Sequence, residues 1–301
     1  MFQDHAAEPL AKADERESEA IIAAEHSDVV VAVLGLDSTI EGEEGDAGNS
    51  QGAGDKPNLS LPGRQRQLLE RLLAIGKPVV VLLASGSSLQ LDGLENHPNL
   101  RAIMQIWYPG ARGGLAVADV LFGTVSPSGK LPVTFYKNTD NLPAFEDYNM
   151  AGRTYRYMTE EALYPFGYGL TYSSVELSDL QVKSYEETAT ATVTIQNTGN
   201  FDTDEVVQVY VKDLESEFAV PNAQLKGFKR VFLGKGSKQT ITFDLRPQDF
   251  EVFDEQGHNF IDSNRFEISV GVSQPDARSI ALTGVQPLQT ELNLAGSQTT
   301  H

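Results

Sequence analysis

Four carboxylates, Glu41, Glu43, Glu44 and Asp46, fall with two glycines within the nine residues STIEGEEGD (38–46). Three kinds of chemistry use such a cluster. Carboxylates held close together oppose one another's ionisation, which raises a pKa in the direction a general acid requires. Side-chain oxygens at short spacing with glycines also suit calcium, although the Asp-x-Asp-x-Asp-Gly spacing of an EF-hand is absent. The third possibility is a solvated acidic loop with no chemistry. Residue types leave all three open, and the choice depends on what positions the loop.

The acidic stretch directly follows DVVVAVLGL (28–36), which reads as a buried strand. GRQRQLLERLLAIG (63–76) then places Leu68, Leu69, Leu72, Leu73 and Ile75 on one helical stripe, and KPVVVLLASG (77–86) is a second strand. LRAIMQIWYPG and RGGLAVADVLFG repeat the unit. Strand and helix alternating over short connections predict a parallel sheet covered on both faces, an αβα sandwich. Sheets of that kind carry ligand chemistry in loops at the carboxyl ends of their strands, where STIEGEEGD falls. Trp107 and Tyr108 in WYPGARGG fall at another strand end. Aromatic faces stack on sugar C–H surfaces, so Trp107 is a candidate substrate-binding residue, although a lone Trp also serves as core.

Other segments close off other chemistries. LLASGSSL (82–89) has neither the Gly-Lys-Ser/Thr of a phosphate loop nor the Gly-x-Ser-x-Gly of a nucleophile elbow. The histidines at 5, 26, 97, 258 and 301 form no His-x-x-x-His pair, so a zinc site is not expected, and no metal or cofactor is assigned. A formal charge of −19 argues against nucleic acid, whose phosphates need a basic face. GRTYRYM (152–158) is accordingly read as cation–π packing that ties a linker to the α/β domain. No apolar run approaches the roughly 20 residues that cross a bilayer. The polar, acidic start MFQDHAAEPLAKADERESEA shows no secretory signal, so a cytoplasmic location is expected. With no cysteine, disulfides and thiol nucleophiles are excluded.

From about residue 175 the hydrophobic period falls to two. TATATVTIQNTGN alternates through Ala191, Val193 and Ile195, and KQTITFDL (238–245) puts Ile241, Phe243 and Leu245 on one face. VVQVYVKD, QLKGFKRVFL and FEISVGVS continue the pattern, predicting an antiparallel β-sandwich of immunoglobulin or fibronectin type. The expected organisation is an α/β domain over 1–137, an aromatic-rich ordered linker over 138–174, the sandwich over 175–285 and a tail over 286–301.

GLDSTIEGEEGD, LSLPGRQRQLLERLLAIGKPVVVLLASGS, WYPGARGGLAVADVLFGTVSPSGKLPVTF and YPFGYGLTY occur in this order. Together they resemble the carboxyl-terminal portion of glycoside hydrolase family 3, the β-glucosidases and β-xylosidases. VTIQNTGNFDTDEVVQVYVKD with LKGFKRVFLGKGSKQTITFDL resembles that family's fibronectin type III-like domain. The resemblance implies retaining hydrolysis of β-linked sugars by two carboxylates roughly 5 to 5.5 Å apart. It also implies that the nucleophile sits on an amino-terminal (β/α)₈ barrel and the general acid/base on the loop after the first strand here. Counting forward from Gly35 selects Glu41, and counting back from Gly45–Asp46 selects Glu43. Glu41 is preferred, because strand ends are fixed by the sheet while loops absorb insertions. No barrel is recognisable in these residues, so the implied partner is a barrel supplied in cis or in trans, and the chain alone is expected to be inactive. An apolar face of the α/β domain would then lie exposed. The alternative is a non-catalytic module that contacts carbohydrate or serves as an assembly scaffold.

Overall fold

The computed structural model describes residues 17–37, 58–140, 142–144 and 146–294. The chain forms two compact units, Met1–Val117 with Tyr136–Asn141, and Ala118–Phe135 with Leu142–His301.

In the first unit α1 (Glu17–Glu25), β1 (Val30–Gly35), α2 (Gln65–Ala74), β2 (Val79–Ala84) and β3 (Leu100–Gln105) follow the predicted alternation. The sheet order is β1-β2-β3, all parallel, with Ala32 opposite Val81 and Val81 opposite Ile103. Paired residues of parallel strands point the same way, so Ala32, Leu34, Val81, Leu83 and Ile103 share one face. That face packs with Ala24 of α1 and with Leu68, Leu69, Leu72 and Leu73 of α2 in one apolar core. Each of these leucines contributes about 1.5–3 kcal/mol by burial. The buried Glu17 carboxylate pairs with Arg64 at 2.9 Å and with Arg71, joining the two helices. On the other face Leu82 is buried, but Val31 is 48 % and Val33 40 % exposed.

A helix α3 (Gly113–Leu121) leads towards the second unit, where a single turn, α4 (Thr154–Tyr157), precedes the strands. One sheet takes β4 (Val175–Tyr185), β5 (Thr188–Asn197) and β8 (Lys238–Leu245) in that order. The other combines β6 (Thr203–Asp213), β7 (Gln224–Leu233), β11 (Arg265–Gly271) and β12 (Leu288–Asn293) in the order β12-β11-β6-β7. A two-residue ladder of β9 (Val252–Phe253) and β10 (Asn259–Phe260) and a helix, α5 (Ala277–Thr283), complete it. The alternation seen in the sequence is the inward set: Ala191, Val193, Ile195, Ile241, Phe243 and Leu245 meet Val207, Val209, Ile268 and Val270 in a second apolar core. The tail expected from residue 286 starts later. Leu288–Asn293 pairs with β11 and buries Leu292, because period-two alternation continues through it.

The linker expectation also changes. Its residues from 142 onward belong to the unit that holds the sandwich. Tyr155 stacks on Phe166 at 4.1 Å, meets Tyr210 of β6 edge-on and accepts the Leu225 amide of β7 at its hydroxyl. Arg156 lies over the Tyr157 ring but donates to Gln224 of β7, so this cation–π pair serves the sandwich and not the α/β domain. Two of the motifs behind the family resemblance are neighbours in space. LPVTF and YPFGY bridge at Phe135 and Tyr164, with Leu131 N–H donating to Tyr168 O at 2.8 Å. Gly169 is required there, since a Cβ would stand 2.0 Å from Gly129 O. Lys130 in the same stretch reaches Glu205 of β6 at 2.7 Å, the two side chains 8 % and 4 % exposed. Among the described residues no helix is long and apolar enough to cross a membrane.

Candidate active site

β1 ends on a residue that can only be glycine. Gly35 has φ +130°, and a Cβ there would lie 2.1 Å from Ala84 O of β2. The strands pass so close because Leu36 N–H still donates to Ala84 O, at 2.7 Å, one residue beyond the end of β1. On the opposite edge Gly35 meets the buried side chain of Gln65, the first residue of α2. Its N–H donates to Gln65 Oε1 at 2.7 Å, and Gln65 Nε2 donates to Gly35 O at 2.9 Å. One amide side chain thus does the work of a neighbouring strand and fixes the direction in which the chain leaves the sheet at Leu36 and Asp37.

The chain returns to the described structure at Asn58, and that stem is pinned as well. Gln90 N–H donates to Leu59 O at 2.8 Å, Ser60 Oγ donates to Asp92 Oδ1 at 2.8 Å, and Leu61 is buried. Glu41 and Glu43, the candidate acids, lie outside the described residues between these two stems.

The ends of β2 and β3 are tied in a similar way. Gln105 Nε2 donates to Ser85 O at 2.9 Å and to Ser85 Oγ at 3.1 Å, and the Ser85 hydroxyl donates to Ser87 O. Among the described residues Gln105 Oε1 is buried without a partner. Two residues on, Trp107 has φ +54°, a left-handed conformation that is rare for an aromatic residue. It is half-buried, with Tyr108 more exposed beside it. The sheet therefore puts Trp107 at the same carboxyl end as Gly35, two strands away, or about 10 Å at the usual strand spacing.

Gln65 and Gln105 are the site residues that the motif reading passed over. The signal for Gln65 is a polar residue at a buried position of the apolar stripe that continues through Leu68, Leu69, Leu72 and Leu73. Among the described residues no three His, Asp or Glu are grouped to hold a metal ion. The arrangement offers two pinned stems, at Leu36–Asp37 and at Asn58–Leu61, and an aromatic at the same carboxyl end of the sheet.

Comparison with known proteins gives one consistent answer. Residues 4–172 match the glycosyl hydrolase family 3 C-terminal domain, and residues 205–274 match the fibronectin type III-like domain. The chain is 39 % identical over 252 residues to a xylan 1,4-β-xylosidase of Xylanibacter ruminicola, covering 82 % of this chain and 29 % of that protein. It is 37 % identical over 293 residues to an exo-α-(1→6)-L-arabinopyranosidase of Bifidobacterium longum, covering 90 % and 37 %. A crystal structure of the β-glucosidase from Kluyveromyces marxianus is similar at TM-score 0.79 and 30 % identity, covering 95 % of this chain and 34 % of that one. The chain spans about a third of the length of the relatives it matches.

Proposed function

The chain belongs to glycoside hydrolase family 3, and from that membership we propose that it is the carboxyl-terminal part of a retaining glycosidase acting on terminal β-glucosides or β-xylosides. Glu41 is its general acid/base, with Glu43 the competing assignment. The observation that carries this reading is the Gly35–Gln65 clamp, which launches the acid-bearing segment from the carboxyl end of a parallel strand. A protonated carboxyl there gives its proton to the leaving glycosidic oxygen, and the resulting carboxylate later takes a proton from water. The nucleophile comes from a barrel on the part of the family's polypeptide that this chain does not span. Alone, the chain protonates nothing productively, because no second carboxylate forms the glycosyl intermediate. Trp107 lines the leaving-group side. Since relatives of similar identity carry xylosidase and arabinopyranosidase names, the choice of sugar lies largely outside this part.

The test is turnover of aryl β-glucoside and β-xyloside by the chain alone and by a fusion with the unmatched part of the Xylanibacter ruminicola enzyme. No turnover alone is expected, and Glu41→Gln should lower kcat/KM of an active fusion by about 10²–10⁴. Turnover by the chain alone that survives both Glu41→Gln and Glu43→Gln would refute the assignment. The scaffold alternative draws on one observation: Phe228 and Phe232 of β7 are 65 % and 59 % exposed on either side of Arg230, a platform that could stack on a polysaccharide. Retention of the isolated chain on insoluble xylan, lost in Phe228→Ala/Phe232→Ala, would favour it.

A further inference from the structure

One residue of β7 has no partner in its sheet. Tyr210 of β6 pairs with Leu225 and Val209 with Gly227, so Lys226 between them is the extra residue of a β-bulge. A bulge re-aims a side chain out of the strand's alternation. Lys226 lines a pocket of the second unit together with Asp213, Asp249, Phe250, Glu251 and Phe266. Its ammonium makes no hydrogen bond or ion pair among the described residues, although the Asp249 and Glu251 carboxylates favour its charge. Burial outweighs them, with Arg156 acting in the same sense, and holds the Lys226 pKa below the ordinary 10.5. The carboxylates are differently committed. Asp249 Oδ2 accepts the Arg246 amide at 2.8 Å, while Glu251 Oε2 accepts Asn259 Nδ2 at 2.6 Å and leaves its Oε1 unbonded among the described residues. Asp213 Oδ2 is buried with no hydrogen-bond partner among them.

An unpaired, desolvated amine beside a free carboxylate is the equipment of carbonyl chemistry. The pocket interior takes little more than one water-sized group, enough for a carbonyl and too little for a pyranose ring. We propose that Lys226 is a covalent capture site for reducing aldoses in their open-chain form, with Glu251 moving the proton. The amine attacks C1 of the aldehyde: a C–N bond forms, the carbonyl pair goes to oxygen, and the proton on nitrogen follows it to give a hemiaminal. A solvent proton then lets the C1 hydroxyl leave as water, and the product is the protonated imine. Glu251 takes the proton from C2, the C–H pair becomes C1=C2, and the C=N pair returns to nitrogen. The enol gives its hydroxyl proton back to solvent as Glu251 returns a proton to C1, leaving a ketone at C2. Amine and aldose thus become ketoamine and water, with no oxidant or reductant. Asp213 Oδ2 is an acceptor at hand for a sugar hydroxyl. The inference takes from the proposed function only that reducing sugars are present, and it does not require this chain to hydrolyse anything.

The chain is incubated alone with D-xylose or D-glucose, and adducts at each lysine are read by peptide mass spectrometry, the imine after cyanoborohydride trapping and the ketoamine directly. Lys226 should carry about ten times or more the ketoamine of the exposed Lys183, Lys235 and Lys238. Glu251→Gln should remove most of that excess and leave the exposed lysines unchanged. Methyl β-xyloside, whose C1 is locked as an acetal, should give no adduct at Lys226. In the chain unfolded by urea the excess should vanish, because it comes from the pocket and not from the local sequence. Ketoamine at Lys226 at or below the level of the exposed lysines would overturn the proposal. So would an excess that persists in urea, or one that a folded Glu251→Gln variant retains. Should that variant fail to fold, Glu251→Asp replaces it, and an unaltered excess there counts against the proposal because the shorter carboxylate no longer reaches. None of these readouts depends on hydrolysis, so the glycosidase reading is tested separately.

Discussion

At the residue scale the decisive groups are not the ones whose chemistry is most visible. Glu41 and Glu43 stand out because carboxylates at close spacing are conspicuous, but Gly35 and Gln65 decide where the chain that bears them leaves the sheet. Replacing Gln65 by Leu keeps the volume and orphans a buried N–H and a buried C=O. The expected cost is about 1–3 kcal/mol for each group left unpaired, measured by urea unfolding of the first unit. Gly35→Ala should be worse, since the new Cβ meets a backbone carbonyl that cannot move aside. A Gln65→Leu variant as stable as the parent would show that the clamp is dispensable. Gln65 was readable in part, as a polar residue on an apolar stripe, but its partner 30 residues earlier was not. Side-chain bonds over such separations leave no local pattern.

At the element scale, polar groups at the ends and crossings of elements carry testable energies. Asp276 caps α5, its carboxylate accepting from Ser279 N–H at 2.6 Å. Burial pushes its pKa above the ordinary 3.8, against the pull of that same amide. A raised carboxyl pKa means the folded state holds a proton the unfolded state has already released, so Asp276 makes stability rise as the pH falls from neutral toward 3.8. Asp276→Asn should keep the cap, match or exceed the parent's stability at pH 7, and lose that acid-side gain. Asp276→Ala should lose about 1 kcal/mol. Thermal unfolding at a series of pH values separates the two. The Lys130–Glu205 pair behaves differently because both partners are buried. Lys130→Met should cost about 3–5 kcal/mol by stranding a carboxylate, and adding Glu205→Leu should recover most of it. Additive losses in that cycle would show that the two side chains are not coupled.

At the scale of the whole molecule, two apolar cores share no residue, one behind the parallel sheet and one inside the sandwich. Unfolding should therefore depart from a single two-state transition. Leu69→Ala should weaken one transition and Ile268→Ala the other, each by about 2–5 kcal/mol, as read by calorimetry. A single transition shifted equally by both variants would contradict this. Val31 and Val33 are exposed on the sheet face opposite α1 and α2, so the first unit is the one whose stability should respond to any polypeptide that covers that face.

The sequence by itself determined the two fold classes, the order of the elements and the end of the sheet from which the acidic segment leaves. These follow from local periodicity: 3.6 for α2, two for β5 and β8, and unbroken apolar runs for β1 and β2. The tertiary structure alone decided that the aromatic linker packs on the sandwich, that the last strand continues to Asn293, and that Gln65 closes the edge at Gly35. Each of these depends on which distant surfaces meet. Contacts between residues far apart in the chain are selected by packing and by the need to pair buried polar groups, and no window of neighbouring residues encodes that selection.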